Sequence, residues 1–216
     1  MARKRSLDEG PVIRGNILAA AAELFYERGY GTTSIRDIAE AAGIASSTLY
    51  HHFVNKQAIL HAIVIDFMTD FVAATSAVLT DSSLAPKAKI AETVRLHIEM
   101  SDERRPELLI GNPIRYALSP DQQRDGVALQ ATYHGLVRET IAVGVRDGDF
   151  TVLDDNLAAM AVLDMLNGIR EWFNPVGGRS REELVRIYTT MVFALLGADS
   201  ASAVGGRADR DTASAL

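Results

Sequence analysis

Residues 32–53 read TTSIRDIAEAAGIASSTLYHHF, and this stretch predicts two short helices joined by a tight turn. The first helix carries apolar residues at i, i+3, i+4 and i+7, which lie on one helix face: Ile35, Ile38, Ala39 and Ala42. Gly43 can end this helix, because glycine adopts a positive φ without strain. The spacing from Ala39 through Gly43 to Leu49 is typical of a helix-turn-helix, whose helices cross closely and need small residues there.

The ends and the outer face of these two helices give further predictions. Thr33 or Ser34 can cap the first helix, and Asp37 stands at the capping-box spacing from Ser34. The outward face of the second helix carries hydrogen-bonding groups of short reach: Ser46, Ser47, Thr48, Tyr50 and His51. Such groups suit base edges and phosphates in a major groove. Local packing is the alternative for Tyr50 and His51, and the polar neighbours favour DNA contact.

Residues 33–60, TSIRDIAEAAGIASSTLYHHFVNKQAIL, resemble the DNA-binding motif of the TetR family of bacterial transcriptional regulators. The resemblance extends at motif level from about Ile13 to Leu60, and the T-L-Y-H-H-F-x-x-K run is its most specific part. It implies an all-α fold in which a three-helix DNA-binding domain precedes a larger helical domain for ligand binding and dimerisation. It also implies transcriptional regulation, most often repression, by a homodimer on a palindromic DNA operator.

The predicted DNA-contacting residues come from both the helix-turn-helix and its flanks. Lys56 occupies the position at which the family touches the DNA backbone, and a cation in a first helical turn is easier to explain if it faces a phosphate. Arg36 can reach a phosphate or pair with Glu40, four residues on. Ala45 departs from the family, which often has Ser or Thr there. The full set is Arg14, Thr33, Arg36, Ala45, Ser46, Ser47, Thr48, Tyr50, His51 and Lys56.

Composition limits the class of protein. The 216 residues carry a net charge of −6, but residues 1–60 hold seven Lys/Arg against six Asp/Glu, which leaves −7 on the remainder. The N-terminal part is therefore relatively basic on an acidic body. The chain has no cysteine, no apolar run approaching about 18 residues and no signal-peptide pattern. We expect a cytoplasmic protein without a membrane segment.

Helix periodicity divides the chain into four parts. Residues 1–11 are expected to form a disordered basic tail, residues 12–56 the helix-turn-helix domain, residues 57–197 the ligand-binding and dimerisation domain, and residues 198–216 a disordered tail. The last two helices are more apolar than one subunit's core requires, which predicts a twofold four-helix interface. The candidate interface residues are Leu157, Leu184, Ile187, Tyr188, Met191 and Leu195.

The larger domain is expected to enclose a cavity with apolar and aromatic walls, which suit a small molecule. Core packing is the alternative for each single residue, and the family resemblance implies that together they form a ligand pocket. The candidate lining residues are Phe67, Phe71, His97, Met100, Tyr116, Tyr133, Met160, Met165, Arg170 and Trp172. Residues 170–178 resemble the corresponding region of TetR-family repressors that respond to acyl-CoA thioesters. That resemblance implies that Arg170 and Trp172 lie at the ligand.

The sequence lacks common catalytic signatures, such as G-x-S-x-G, a Gly-rich phosphate loop and H-E-x-x-H. The adjacent His51 and His52 point in different directions on a helix and cannot share a metal. We therefore expect no enzyme activity, no metal and no cofactor. Two alternatives stay open: a helical enzyme or small-molecule carrier without sequence-specific DNA binding, and an architectural or protein-binding module.

Overall fold

The computed structural model describes residues 2–111, 117–173 and 178–198, excluding the side chains of residues 2–9. Within these ranges the chain forms α-helices and no β-strand, which confirms the predicted all-α class. The helices are α1 Ala2–Arg28, α2 Ile35–Ala41, α3 Ser46–His52, α4 Lys56–Leu79, α5 Pro86–Glu103, α6 Arg105–Gly111, α7 Pro120–Arg146, α8 Asp155–Trp172 and α9 Arg181–Leu195.

Several helices begin at side-chain caps, and the cap of α2 is one that the sequence predicts. Ser34 and Asp37 form a reciprocal capping box at the start of α2. Asn55 accepts a hydrogen bond from the backbone N–H of Ala58 and so caps α4. These bonds satisfy backbone donors that a helix N-terminus would otherwise leave without partners. Hydrogen bonding to Ser34 also lowers the pKa of Asp37, which keeps its carboxylate ionised in the capping box.

Two hydrophobic cores organise the described chain. The N-terminal core contains buried residues of α1, α2, α3 and the first turns of α4, including Ile17, Ile38 and Leu49. The C-terminal core contains residues of α4, α5, α7, α8 and α9. Helix α4 contributes to both cores and packs against α1, α5, α6 and α7. It is therefore the mechanical connection between the two parts.

Helix α6 contributes side chains to both hydrophobic cores, which its sequence does not predict. Ile110 at its end and Leu118 after it are buried in the N-terminal core, together with residues of α1 and α4. Leu108, two residues earlier, packs against the C-terminal core. The side-chain amide of Gln57 on α4 donates to the carbonyl of Ala117 and secures the same segment. The N-terminal core is thus completed by residues from the second half of the chain.

The structure corrects the expected N-terminal boundary. Helix α1 begins at Ala2, so residues 2–11 continue the helix instead of forming a disordered tail. Residues 2–9 include Ala, Arg, Lys, Leu and Glu, whose helix propensities are high. The prediction relied on apolar periodicity, which starts only near Ile13. Residues 199–216, most of the predicted C-terminal tail, lie outside the described residues.

Helix α4 is the one described helix that is long and apolar enough to cross a membrane by length and composition. Core helices of soluble proteins pass the same test. In this fold, α4 buries Ile59, Ile63, Phe67 and Phe71 among its neighbouring helices. Its contribution to two cores accounts for its apolar composition.

Candidate nucleic-acid interface and internal cavity

The turn between α2 and α3 has the geometry that a helix-turn-helix requires. Gly43 has a φ of 67°, a left-handed conformation that favours glycine. The backbone N–H of Ile44 donates to the carbonyl of Ala39 at 2.9 Å, which closes the end of α2. Ala39 and Leu49 are buried at the contact, with exposures of 2% and 0%. These contacts fix how α3 is presented to solvent.

The outward face of α3 is polar, contains no Lys, Arg, Asp or Glu, and is accessible. Ser47, Tyr50 and His51 are exposed, and Ser46 and Thr48 are half-buried. Tyr50 has 55% of its surface accessible, which is more than local packing would leave for a large aromatic side chain. Ala45 is the N-cap of α3 and supplies no side-chain hydrogen bond. The accessible face is suited to insertion into a groove.

Arg36 lies on the exposed side of α2. The predicted alternative, an ion pair with Glu40, is not formed among the described residues, and no other ion pair of Arg36 occurs there. Its guanidinium is therefore available to a phosphate.

Arg14 and Lys56, both predicted to contact the DNA backbone, are paired with groups of the protein itself in this structure. Arg14 makes two hydrogen bonds to Asp66 of α4, at 2.6 and 3.2 Å, and its guanidinium lies 5.8 Å from the centre of the Phe53 ring. The Lys56 ammonium donates to the carbonyls of Tyr30 and Thr33, the latter at 2.7 Å. Both cations connect α4 to the N-terminal helices and stabilise that packing.

Thr33 is also internal, contrary to its predicted role in DNA contact. It is 2% exposed, and its hydroxyl donates to the carbonyl of Gly29 at 2.9 Å. A hydroxyl used in this way holds the α1–α2 loop closed. The predicted DNA-contacting side chains that have no internal partner are Arg36 and the outward residues of α3.

A cavity of about 330 Å³ lies among α4, α5, α6, α7 and α8 in the C-terminal part. Its closed end is marked by buried residues such as Phe71, His97 and Tyr133, and its mouth by the exposed or half-buried Gln130, Met160, Asp164 and Asn167. This volume and the mixture of aromatic and polar walls are typical of small-molecule sites. Six predicted lining residues are in the wall: Phe67, Phe71, His97, Tyr133, Met160 and Arg170.

Three predicted lining residues lie elsewhere. Met100 and Met165 pack against the C-terminal core without lining the cavity. Trp172 is 54% exposed and stacks on Tyr188 of α9, with ring centres 6.2 Å apart. It follows Arg170 by two residues, and a helix turns by about 200° over that interval, so the two side chains point to opposite sides. Tyr116 lies outside the described residues.

Sequence reasoning missed several lining residues, most of them polar, because it sought large apolar and aromatic walls. The missed set is Met68, Ser101, Leu108, Gln130, His134, Leu163, Asp164 and Asn167. A usable signal was present in α8, where Asp164 and Asn167 interrupt an otherwise apolar helix at helical spacing from Met160 and Arg170. Polar residues within an apolar helix thus marked the mouth.

The side chains at the closed end of the cavity are held neutral. Burial, with a smaller contribution from the charge of Arg170, lowers the pKa of His97 to about 3. Burial raises the pKa of Tyr133 above its ordinary value. The His97 Nδ1 lies 3.3 Å from the Tyr133 hydroxyl. Near neutral pH the pair therefore offers hydrogen bonds and carries no charge.

The predicted dimer residues fall into two groups. Leu157, Met191 and Leu195 are exposed by 61%, 47% and 39%, and Ile187 is half-buried. We call these four residues the α8/α9 face. Leu184 and Tyr188 are instead buried in the subunit's own core, with exposures of 2% and 8%. They lie on the inner side of α9, so the prediction was wrong to place them at an interface.

No cluster of three or more potential metal ligands occurs among the described residues. The candidate binding surfaces among the described residues are therefore the exposed face of α3, the cavity and the α8/α9 face.

Comparison with known protein families matches both parts of the chain. Residues 17–63 match the family described as bacterial regulatory proteins, tetR family. Residues 83–196 match the tetracyclin repressor-like, C-terminal domain. Together the two matches include the helix-turn-helix, most of the cavity wall and the α8/α9 face.

Individual relatives and solved structures are similar over most of the chain. The HTH-type transcriptional repressor KstR2 of Mycolicibacterium smegmatis is 29% identical over 181 residues, which cover 83% of this chain and 88% of the relative. The structure of PfmR, a TetR family transcriptional regulator from Thermus thermophilus, is 33% identical with a TM-score of 0.77, covering 85% of this chain and 98% of that one. AibR in complex with isovaleryl coenzyme A and operator DNA is 26% identical with a TM-score of 0.75, covering 86% and 99%.

Proposed function

Because the chain belongs to the TetR family of bacterial transcriptional regulators, we propose that it is a homodimeric repressor released from a palindromic operator by a small hydrophobic or acyl-CoA-type ligand. The observation that carries the DNA-binding part is the accessible polar face of α3, presented by a glycine turn. Because its proposed target is bacterial DNA, the protein is expected in the cytoplasm.

DNA recognition is assigned to Ser47, Tyr50 and His51 of α3, with Arg36 of α2 on a phosphate. Side chains of this kind read base edges and fix the register of a recognition helix on the duplex. One subunit presents few cations, so useful affinity depends on two subunits binding together. A twofold dimer would place two copies of α3 about 34–36 Å apart, in successive major grooves.

The α8/α9 face supports the homodimer. Exposed apolar side chains on adjacent helices are commonly covered by a partner, because leaving them in water forgoes their burial free energy. A second copy supplies a matching surface through twofold symmetry, which gives a four-helix contact. Leu157, Met191 and Leu195 would form the centre of that contact.

The cavity supports a small-molecule effector. Arg170 lines its wall, where its Nε also pairs with Glu171 at 3.1 Å, and a guanidinium is the group that best suits a carboxyl or phosphate oxygen of a ligand. AibR, a structural relative, is described in complex with isovaleryl coenzyme A and operator DNA, which favours the acyl-CoA class for this chain as well. Trp172 has no part in the proposed cavity contacts.

The proposed release mechanism is a population shift transmitted through α6. Leu108 lines the cavity, and Ile110 of the same helix is buried in the N-terminal core. A ligand that binds one position of α6 better than another must therefore bias the packing of α1 and α4. Tilting α4 changes the separation of the two α3 helices, which weakens operator binding.

The proposal is tested by comparing two exposed tyrosines of the N-terminal part. Tyr50→Ala on α3 is expected to weaken binding to DNA fragments flanking the gene by at least about tenfold, because the variant cannot make the groove contact. Tyr26→Ala on α1, where the side chain is 46% exposed, is the matched control and should bind as the wild type does. Binding is measured by fluorescence anisotropy near physiological salt.

A second outcome of the same titrations would contradict the proposal. Weak binding that is equal for all fragments and unchanged by Tyr50→Ala would contradict a sequence-specific repressor. Ligand binding by the cavity without DNA affinity would then favour a carrier or enzyme.

A further inference from the structure

The closed end of the cavity contains a compact polar cluster within aromatic walls. His97 of α5 and Tyr133 of α7 are 4% and 6% exposed, and the His97 Nδ1 and the Tyr133 hydroxyl are 3.3 Å apart. Phe71 of α4 meets both rings edge to face, with centroid distances of 5.1 Å in each case. The aromatic contacts fix the orientation of the two polar groups.

The two polar side chains have hydrogen-bonding capacity beyond their mutual contact. A neutral imidazole has one donor and one acceptor nitrogen, and a phenol hydroxyl both donates and accepts. Their single contact uses one donor and one acceptor, which leaves one donor and one acceptor function for another group. A buried polar function without a partner carries a free-energy penalty, so a ligand oxygen that pairs with it gains affinity.

A second observation comes from the neighbouring residue of α7. His134 also lines the cavity, and its Nε2 is buried without a hydrogen-bond partner among the described residues. It is separate from the His97–Tyr133 pair, yet it belongs to the same wall. The described side chains therefore leave polar capacity unused in a cavity whose other walls include Phe67, Leu108 and Leu163.

The charges around this end exclude a cationic ligand group there. His97 resists protonation because it is buried, and the charge of Arg170 acts in the same direction. An ammonium placed against this pair would lose its hydration without finding a carboxylate among the residues of the closed end. The one acidic residue of the lining, Asp164, is exposed at the mouth.

We propose that the effector inserts an apolar body bearing an uncharged oxygen, a ketone or a hydroxyl, which hydrogen-bonds to the His97–Tyr133 pair. This inference rests on the proposed function, since it specifies the chemistry of the ligand end that enters the regulatory cavity. The charged part of an acyl-CoA-type ligand stays toward the mouth, and the buried end is recognised by its oxygen.

The experiment uses four small probes that share one bicyclic skeleton: α-tetralone, tetralin, protonated α-aminotetralin and tetralin-α-carboxylate. Affinities for the full-length protein are measured by ligand-observed NMR titration. The ketone is expected to bind about three- to tenfold more tightly than the hydrocarbon, the range of one hydrogen bond. The amine is expected to bind more weakly than the ketone.

Tyr133→Phe removes the hydroxyl with little change of shape. It is expected to reduce the preference for the ketone, because only the His97 N–H remains as a donor, while leaving the affinity for tetralin unchanged. Tyr188→Phe is the matched control, because Tyr188 is similarly buried, at 8%, but stacks on Trp172 outside the cavity. This control should keep the full preference. Unchanged circular dichroism and thermal midpoint establish that each variant is folded.

Several results would overturn the inference: no binding of α-tetralone to the wild type, equal affinity for tetralin, stronger binding of the amine or the carboxylate, or a ketone preference that is undiminished in Tyr133→Phe. Operator binding is measured separately on the same samples. If the wild type prefers the ketone but does not bind the operator, the proposed repressor function is contradicted and the proposed role of the His97–Tyr133 pair stands. If the wild type binds the operator but shows no preference for the ketone, the repressor function stands and the role of the His97–Tyr133 pair is contradicted.

Discussion

Arg36 and Lys56 are two cations of the N-terminal part with opposite surroundings. Arg36 is exposed and has no ion pair among the described residues. The Lys56 ammonium donates to two backbone carbonyls and lies 4.4 Å from the centre of the Tyr30 ring. The first is available to a phosphate, and the second stabilises the fold.

The two positions should respond differently when each cation is replaced by methionine. Arg36→Met is expected to reduce the slope of log Kobs against log salt by about 0.9 for each phosphate that Arg36 neutralises, with stability unchanged within about 0.5 kcal/mol. Lys56→Met should leave that slope unchanged and lower the free energy of unfolding by about 1 kcal/mol, since its hydrogen bonds are partly exposed. Anisotropy titrations over several salt concentrations and urea unfolding supply both readouts. A reduced salt slope for Lys56→Met would restore it to the DNA interface.

His97 provides a prediction about pH. Burial lowers the pKa of His97 to about 3 in the folded state, whereas the unfolded state protonates near 6.5. Below pH 6.5 the unfolded state therefore binds the extra proton, and stability falls as the pH falls toward 3. Between pH 7.5 and 5.5 the wild type should lose about 1.4 kcal/mol more than His97→Gln, measured by urea unfolding at each pH. Parallel losses in the two proteins would show that His97 is protonated in the folded state.

The limits of sequence reasoning are clearest for single residues. Arg14 was predicted to contact a phosphate because it is a cation near the start of the DNA-binding part, but its partner Asp66 is 52 residues away in sequence. Lys56 is similar, since its partners Tyr30 and Thr33 become its neighbours only after α4 packs against the N-terminal helices. No local pattern contains that information. The exposed residues of α3 were predicted more successfully, because helical periodicity alone decides which side of a helix faces outward.

At the scale of elements, local signals predicted most helices well. A capping box of Ser119 and Gln122 starts α7, and the side chain of Asp154 caps α8. These signals act within four residues, so they survive without tertiary information. Helix α6 was less predictable, because its position depends on Ile110 entering a core formed by residues more than 40 positions earlier. The inward positions of Leu184 and Tyr188 also depended on packing, whereas α9 itself was predicted from its periodicity.

The α8/α9 face leads to a prediction about assembly. Met191→Glu places a carboxylate at the centre of the proposed dimer contact, where it would be buried without a partner. We expect this variant to sediment as a monomer and to lose operator affinity, because both half-sites must be occupied together. Val127→Glu on α7 is the control, as its side chain is 61% exposed and lies outside the α8/α9 face. Analytical ultracentrifugation measures the assembly state, and a dimeric Met191→Glu would require another interface.

At the scale of the whole molecule, the two cores meet through α4 and α6. Helix α4 runs through both, and α6 places Leu108 at the cavity and Ile110 in the N-terminal core. A change at the cavity therefore has a short physical path to the helices that support α3. The ligand-bound and the ligand-free forms must each pack both cores well. The coupling is therefore expected to switch the protein between two discrete conformations and not to deform it gradually.

This division of α6 predicts that two neighbouring truncations act on opposite parts of the molecule. Ile110→Ala removes a side chain that is 2% exposed and should cost about 2–4 kcal/mol, raising amide hydrogen exchange in α1 and the first turns of α4. Leu108→Ala should raise exchange mainly around the cavity, in α5 and α8, and leave α1 protected. Mass spectrometry of exchanged peptides from both variants compares the two patterns directly. If Ile110→Ala loosened only the C-terminal helices, α6 would belong to one core, and the proposed path from cavity to DNA would fail. If the two patterns separate as expected, α6 contributes side chains to both cores, and a ligand that displaces α6 at the cavity also disturbs the packing beneath α3.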